Sequence, residues 1–281
     1  MAEGRSSIII SIFSTGSGIG KTITAINLAA GLTKEGYAVC LVDLDLQFGD
    51  IVKYLKLEPK YTIADANADF KNDAENFNVK NYLTDYHYKG KGGEIQFSVL
   101  APPRMIYDAY RIDVDVVENL IMQLNYFDFV VLDLSAVFST LNVAMLDMST
   151  VINFLGVIDF LPSVKNFKIG YDTLVRFEYE GSKIRLVENR ANSQKLIDGR
   201  DVERLLGETF FHRLPNDFPS VNKSILEGCP LMFVAPDAPL TKSFMELSGE
   251  YTSRPGSNQL NSATPAEPQG FFTRFFDIFG N

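Results

Sequence analysis

The sequence predicts an α/β fold in which helices cover both faces of a twisted, mostly parallel sheet. Short apolar runs, each long enough for one buried strand, alternate with segments whose apolar residues recur at helical spacing. Such alternation favours parallel strands joined by right-handed crossovers. A hydrophobic fraction of 46% over 281 residues provides a full core for one such domain, or at most for two small domains.

The predicted elements follow one another with few interruptions. Strands are predicted at 8–13, 37–42, 95–100, 127–134, 151–157, 183–188 and 208–214. Helices are predicted at 23–32, 114–124, 162–177, 199–206, 221–227 and 240–247, and Gly36 is the expected stop of the first. Residues 51–93 mix short apolar runs with polar stretches, so we expect short helices and loops there. The glycine-rich run 89–93 is interpreted as a tight turn before the next strand.

A glycine-rich turn of sequence Ser-Thr-Gly-Ser-Gly-Ile-Gly-Lys-Thr, residues 14–22, joins the first predicted strand to the first predicted helix. Glycines let the backbone curl around an anion, so that loop N–H groups and the helix N-terminus point at it. The residues expected to bind nucleotide phosphates are Gly16, Ser17, Gly18, Ile19, Gly20, Lys21 and Thr22. Lys21 would place a cation on the β- and γ-phosphates, and Thr22 an oxygen on Mg²⁺. Thr15 stands where an ordinary P-loop has glycine, and the alternative is a turn that binds nothing.

Carboxylates follow two of the predicted strands. Asp43 and Asp45 end the strand 37–42 and, by alternation, share one side of it. Asp133 ends the apolar run 127–134, as in a Walker B strand. Ligands of open α/β sheets bind outside the carboxyl ends of the strands. Asp45 is therefore a candidate to hold Mg²⁺ or to orient the attacking water, and Asp133 to hold the Mg²⁺ shell opposite Thr22. A solvated acidic loop is the alternative for Asp43 and Asp45.

Polar residues at the ends of two later strands form a candidate rim for the base. Asn189 and Arg190 follow the strand 183–188, and Pro215 and Asn216 follow the strand 208–214. Amide hydrogen bonds from this rim could hold a base. The alternative is that these are ordinary polar loop residues.

Composition argues against several other classes of protein. The net charge of −9 is unsuited to non-specific DNA binding, so no specific nucleic-acid partner is expected. Cys40 and Cys229 lie among apolar residues and are expected to be reduced thiols in or near the core. Two histidines and no cysteine pair at ligand spacing support neither a zinc nor an iron–sulfur site. With no secretory signal visible, the protein is expected in the cytoplasm.

The chain changes character after residue 251. We predict a domain at 1–251, a flexible linker at 252–270 rich in Ser, Pro, Gly, Asn and Ala, and an amphipathic helix at 271–281. One face of that helix would carry Phe271, Phe272, Phe275, Phe276, Ile278 and Phe279. Three uses remain open: a peripheral membrane anchor, a helix that docks on a protein partner, or a tail that folds back onto its own domain.

These features resemble the ParA/MinD family of deviant P-loop ATPases, over residues 8 to about 249. Within it, the chain is most similar to the CpaE/TadZ-like proteins that place pilus machinery, although the receiver-like domain that many of them carry is absent. The segments that carry the resemblance are 41–50, 100–104, 215–217 and 227–231. The tail is similar instead to the membrane-targeting helix of MinD.

The resemblance implies a P-loop NTPase fold of the SIMIBI type and a role for each site residue. Lys21 and Thr22 would be the Walker A pair, Asp45 would position the hydrolytic water, and Asp133 would be the Walker B aspartate. Asn189, Pro215 and Asn216 would face adenine. ATP would drive formation of a face-to-face homodimer, and the dimer would bind a membrane or a partner protein.

Two residues depart from the family pattern. Gly16 occupies the position of the signature lysine that reaches the phosphates of the opposite protomer. Ile23 replaces a threonine whose hydroxyl lies near the α-phosphate. Because binding needs Lys21, the loop amides and Mg²⁺, while hydrolysis needs further positive charge, we expect ATP binding with slow or partner-stimulated hydrolysis.

The leading hypothesis is therefore a cytoplasmic ATPase switch that positions pilus, secretion or division machinery, with peripheral binding at the inner face of the cell membrane as one form of it. A second hypothesis is a pseudo-ATPase scaffold that serves as a landmark without turning over ATP. A third is a metabolic P-loop enzyme similar to dethiobiotin synthase, in which an amphipathic tail would have no use.

Overall fold

The computed structural model describes residues 7–90, 92–192 and 197–252, whose strands form one sheet. The strands are β1 (Ile8–Phe13), β2 (Val39–Leu44), β3 (Leu83–Gly90), β4 (Gly93–Leu100), β5 (Phe129–Leu134), β6 (Val151–Gly156), β7 (Ile184–Ala191) and β8 (His212–Pro215). The helices are α1 (Lys21–Lys34), α2 (Ile51–Tyr54), α3 (Ile63–Asn72), α4 (Ile106–Ala109), α5 (Val114–Met122), α6 (Thr140–Met148), α7 (Leu161–Arg176), α8 (Gly199–Leu206), α9 (Phe218–Glu227), α10 (Leu231–Val234) and α11 (Pro239–Thr252). A 3₁₀ turn at Val79–Tyr82 precedes β3.

The strand order across the sheet is β3-β4-β2-β5-β1-β6-β7-β8. Every neighbouring pair is parallel except β3 and β4, which run antiparallel. This confirms the predicted α/β class with a mostly parallel sheet. The phosphate-loop strand β1 lies between β5 and β6, so the ends of β5 and β6 flank the loop that leaves β1.

Helices cover both faces of the sheet, each over its own apolar layer. On one face α1 and α11 pack over side chains such as Ile10 and Leu41. On the other, α3, α5, α6, α7 and α8 pack over side chains such as Val42 and Phe154. The central strands β2, β5 and β6 are buried along their whole length, as expected for parallel strands covered on both sides.

The segment 51–93 departs from the prediction of short helices and loops, because it contains the strand β3. Its sequence, Leu-Thr-Asp-Tyr-His-Tyr-Lys-Gly, has few aliphatic residues because β3 is an edge strand with one half-solvated face. Tyr86 is buried, whereas its neighbours Asp85 and His87 are exposed. The predicted turn before β4 is present, because Gly90 pairs with Gly93 across the hairpin.

Other boundaries differ by a few residues. The predicted strand 208–214 shortens to β8, and α6 was not predicted. The helix predicted at 221–227 begins at Phe218, because the Asp217 side chain accepts a hydrogen bond from the backbone N–H of Ser220 at 3.1 Å and caps it. Both cysteines are free and buried, as predicted. No helix within the described ranges is both long and apolar enough to cross a bilayer.

His212 joins the edge strand β8 to α11 and should make stability depend on pH. Its Nε2 lies 2.9 Å from the carbonyl oxygen of Ser243 and 2.8 Å from the Ser243 hydroxyl. Burial lowers the pKa of His212 from its ordinary 6.5, against the opposing effects of Ser243, Glu246 and Glu250. Folding therefore favours the neutral ring, and this contribution is present above pH 6.5 and is lost as the pH falls through the lower, folded pKa.

Urea unfolding at pH 7.5 and 5.5 tests this dependence. We expect the acid-induced loss of stability to be smaller in His212→Gln than in the unmodified protein. His87→Gln is the matched control, since His87 is exposed and lies on β3, at the edge of the sheet opposite to β8. The His87 Nε2 atom is 2.5 Å from the Glu94 carboxylate. If His212→Gln and the unmodified protein lose equal stability, His212 does not contribute.

Candidate functional site

The phosphate loop follows β1 and ends at the first residue of α1. Gly18 and Gly20 have φ values of +67° and +100°, the left-handed conformation that glycine adopts without steric penalty. Gly20 is the N-cap of α1, and its carbonyl oxygen accepts from the Thr24 backbone N–H at 3.0 Å and from the Thr24 hydroxyl at 2.9 Å. The backbone therefore has the glycine-dependent shape that a phosphate-binding loop requires.

Thr15, the residue that departs from the ordinary P-loop, holds the start of the loop against α7. Its hydroxyl donates to the carbonyl oxygen of Asn166 at 3.0 Å. The neighbouring Ser14 hydroxyl donates to the carbonyl oxygen of Gly16 at 2.8 Å. Gly170 leaves room for Thr15, because a Cβ at that position would overlap its side chain. At position 15 the loop therefore has a side chain that anchors it to α7, where an ordinary P-loop has glycine.

Lys21 and Asp133 form the charged centre of the site. Lys21 is only 9% exposed, and burial lowers the pKa of its ammonium, while Asp133 and Asp45 act in the opposite direction. Asp133 lies at the end of β5, beside β1, and burial raises its pKa to about 7. The Thr22 side chain and the Lys21 charge oppose that rise. Lys21 and Asp133 therefore each favour the charged form of the other, against the cost of removing both from water.

Asp43 supports the loop that carries Asp45. It lies on β2 in register with Asp133 and is fully buried. Its two carboxylate oxygens accept from the backbone N–H groups of Asp45 at 3.2 Å and Ile51 at 3.1 Å. Burial and the nearby Asp133 raise the pKa of Asp43. Asp43 thus fixes the conformation of the loop between β2 and α2. This loop holds Asp45 in a partly exposed position.

The residues around Asp133 fit a magnesium ion. Both of its carboxylate oxygens are buried, and no described residue donates a hydrogen bond to either. Although Thr22 is near enough to lower the pKa of Asp133, its hydroxyl is not in hydrogen-bond geometry with the carboxylate. Buried carboxylate oxygens without donors are costly unless a cation compensates them. One or two carboxylates beside a nucleotide are the protein ligands that Mg²⁺ usually takes.

A cavity of about 450 Å³ opens in front of this centre. The predicted residues that line it are Ser17, Gly18, Gly20, Lys21, Thr22, Asp45, Asn189, Arg190, Pro215 and Asn216. The structure therefore brings the loop, the acidic strand end and the predicted rim to one cavity of nucleotide size. Gly16 and Ile19 line a neighbouring cavity of about 190 Å³, and Asp133 lies behind Lys21 and Thr22, out of the lining.

Several lining residues were not predicted from the sequence. Four of them are aromatic: Phe48, Tyr54, Phe218 and Phe244. Phe48 and Phe218 are 67% and 71% exposed, so they stand at the open mouth of the cavity. Phe218 lies two positions after Asn216 of the predicted rim, and the sequence could have indicated it through this proximity. The predicted tail residues 271–279 lie outside the described residues.

A phosphate loop closed by a buried lysine, with a donor-free carboxylate behind it, defines the class of P-loop nucleotide-binding proteins. The family model described as the CobQ/CobB/MinD/ParA nucleotide binding domain matches residues 10–231, so the chain belongs to this family. An uncharacterised ATP-binding protein of Methanocaldococcus jannaschii is 23% identical over 285 residues, which cover 97% of each chain.

Solved structures of the same family share the fold. A ParA family ATPase from Chlorobium tepidum superposes with a TM-score of 0.76 at 21% identity, over 87% of this chain and 98% of the other. The septum site-determining protein MinD of Pyrococcus horikoshii, complexed with Mg-ADP, superposes with a TM-score of 0.71 at 19% identity, over 92% and 100%. The fold of this protein is therefore that of the MinD/ParA ATPases.

Proposed function

We propose that this protein is an ATP-driven switch that forms a homodimer and positions pilus, secretion or division machinery at the cytoplasmic face of a membrane. The observation that supports it best is the buried pair of Lys21 and Asp133 at the base of a nucleotide-sized cavity. Burying a lysine and a donor-free carboxylate would lower the stability of the fold if neither group bound a ligand. Phosphate on Lys21 and a cation on Asp133 give both charges a partner.

In this proposal each residue has one task. Lys21 binds the terminal phosphates, and the loop N–H groups bind their oxygens. Asp133 and Thr22 would hold Mg²⁺, which when bound neutralises phosphate charge. Asp45 orients the water that attacks the γ-phosphate, and Asp43 keeps the Asp45 loop in place. Asn189, Arg190, Pro215 and Asn216 form the far wall of the same cavity.

The resemblance to the CpaE/TadZ-like proteins is the reason for including pilus and secretion machinery beside division machinery in this proposal. One segment of that resemblance, 100–104, ends at Arg104, whose guanidinium donates to the carbonyl oxygens of Pro59 at 2.7 Å and Lys60 at 2.8 Å. Just beyond it, Met105, Ile106 and Tyr107 are 48–56% exposed. Arg104 thus fixes the base of an apolar surface near the carboxyl end of β4, where a protein partner could bind.

A scaffold that binds ATP without turning it over is the second candidate, and Gly16 favours it. A Cβ at Gly16 would overlap the Ile19 side chain, so Ile19 occupies the space that a longer residue at this position would need. The chain therefore lacks the second loop cation and has filled its place with an apolar group. This arrangement supports slow hydrolysis, or none, in the absence of a partner.

Sedimentation with liposomes tests the proposed switch. We expect the full chain to sediment with anionic vesicles in Mg-ATP and to remain largely in the supernatant in Mg-ADP. A chain ending at residue 270 should stay in the supernatant in both, since it lacks the six apolar tail residues. Each nucleotide state is measured at equal protein concentration, because dimerisation would double the number of tails per particle.

A matched pair of tail variants separates hydrophobic contact from general effects of mutation. Phe275→Asp with Phe276→Asp should abolish sedimentation, whereas Thr273→Ser should leave it unchanged. Vesicle binding by the chain that ends at 270 would contradict the membrane role of the tail. Equal binding in Mg-ATP and Mg-ADP would contradict the switch and favour the scaffold.

A further inference from the structure

The end of β7 reaches over the outside of the phosphate loop. Asn189 Nδ2 donates to the carbonyl oxygen of Ile19 at 2.5 Å, and Arg190 Nη2 donates to that of Gly18 at 2.7 Å. The Asn189 Oδ1 in turn accepts from the backbone N–H of Arg190 at 2.8 Å. Two consecutive loop carbonyls are therefore held by two consecutive side chains of one strand.

The backbone of β7 is distorted where these side chains leave it. Arg190 has a φ of +56° and Asn192 a φ of +64°, a left-handed conformation that is unfavourable for an arginine. The pairing of β7 with β8 is also irregular between Glu188 and Ala191. Strained backbone persists only where its surroundings over-determine it and is concentrated at functional sites. Here the distortion accompanies the contacts that the Asn189 and Arg190 side chains make with the carbonyl oxygens of Ile19 and Gly18.

Holding a carbonyl oxygen also orients the amide next to it. In a trans peptide the C=O and the following N–H point in opposite directions. The chain has no cis peptide among the described residues, so fixing the carbonyl oxygens of Gly18 and Ile19 turns the N–H groups of Ile19 and Gly20 away from β7. These are the N–H groups that a phosphate-binding loop presents to its anion.

The Asn189 side chain packs closely against Gly20 of the loop. A Cβ at Gly20 would overlap Asn189 Nδ2, so the Asn189 amide occupies the space left by the missing side chain. Because Thr15 anchors the beginning of the loop to α7, the two anchors hold the loop from both ends. The chain can therefore dispense with glycine at position 15.

We propose that Asn189 and Arg190 are positioning residues that hold the phosphate loop open from its carbonyl side, and that nucleotide affinity depends on this clamp. The inference rests on the proposed ATP binding. It differs from the role in which Asn189 faces adenine, because both polar ends of the Asn189 amide are already engaged, one with Ile19 and one with Arg190.

Calorimetric titration of the full chain with Mg-ATP tests the clamp. Asn189→Ala and Arg190→Gly should each raise the Kd about tenfold, the usual effect of removing one strong hydrogen bond. Arg190→Gly also removes the strained left-handed arginine, so its melting temperature in the absence of nucleotide should not fall. Arg190→Lys retains a donor and should lie between these variants and the unmodified protein. Arg200→Ala, which removes an exposed arginine paired with Asp198, is the control.

The ratio of the Kd values for inosine triphosphate and ATP separates the clamp from recognition of the base. A clamp weakens both nucleotides equally, so Asn189→Ala should leave this ratio unchanged. A ratio that collapses towards one in Asn189→Ala would show that Asn189 binds the adenine amino group and would overturn the inference. Unchanged Kd values in both variants would also overturn it. Failure of the unmodified protein to bind ATP would instead refute the proposed function.

Discussion

Replacing Lys21 with alanine should weaken Mg-ATP binding by about 100-fold or more, because a charge-assisted contact to two phosphates is lost from a water-poor site. Lys21 is also the cation that opposes the raised pKa of Asp133. Its removal leaves that buried carboxylate with less compensation, so the variant should bind a proton at Asp133 more readily. Binding is measured by calorimetry at pH 8, above the Asp133 pKa of about 7 in the unmodified protein.

Two variants make this result interpretable. Lys34→Ala removes a lysine from the other end of α1, where its ammonium donates to the carbonyl oxygen of Gly92 at 2.7 Å, and should bind ATP normally. Lys21→Ala with Asp133→Asn removes both charges and should recover the thermal stability, but not the affinity. Normal ATP affinity in Lys21→Ala would exclude the phosphate role. Unchanged dimerisation and localisation in Lys21→Ala would favour the scaffold.

Replacing Gly16 with lysine should raise the ATP turnover of the protein by about 1,000-fold, the lower end of what a cation supplied to the transferring phosphoryl group contributes. The new side chain would bring an ammonium group to position 16 of the loop, where the unmodified protein has no charged group. Ile19 must move, since it overlaps the position of a Cβ at Gly16. Gly16→Lys combined with Ile19→Ala should therefore be at least as active as Gly16→Lys alone.

Phosphate release at increasing protein concentration measures this gain. If the lysine acts across a dimer, turnover per molecule should rise with concentration in Gly16→Lys. Gly16→Met has a side chain of comparable length without charge and should remain as slow as the unmodified protein. Equal rates in the lysine and methionine variants would show that charge at position 16 does not limit hydrolysis.

The parts of the site that lie in one short stretch were predictable from the sequence. The phosphate loop depends on local glycines followed by Lys21, and β1 before it is apolar except for Ser11. The acidic residues were predictable as strand ends. The burial of Asp43 and Asp133 was not, because it depends on which strands become neighbours, and β2 and β5 pair with these two residues in register.

The sequence could not predict contacts made by polar side chains between distant segments. Asn189 and Arg190 were predicted at the rim, but their bonds to Gly18 and Ile19 join residues more than 160 positions apart. Strand β3 was missed for a related reason. As an edge strand it buries only part of one face, so its pattern lacks the aliphatic alternation that marks a strand.

The last described helix, α11, is anchored at its C-terminal end. The Tyr251 hydroxyl of α11 donates to Asn153 on β6 at 2.5 Å, and the Thr252 hydroxyl donates to Glu35, the residue that ends α1. Helix α1 has 14 residues and so spans about 21 Å from Lys21 to the end that contacts α11. The last described residues therefore lie about one helix length from the phosphate loop, and α1 connects the two.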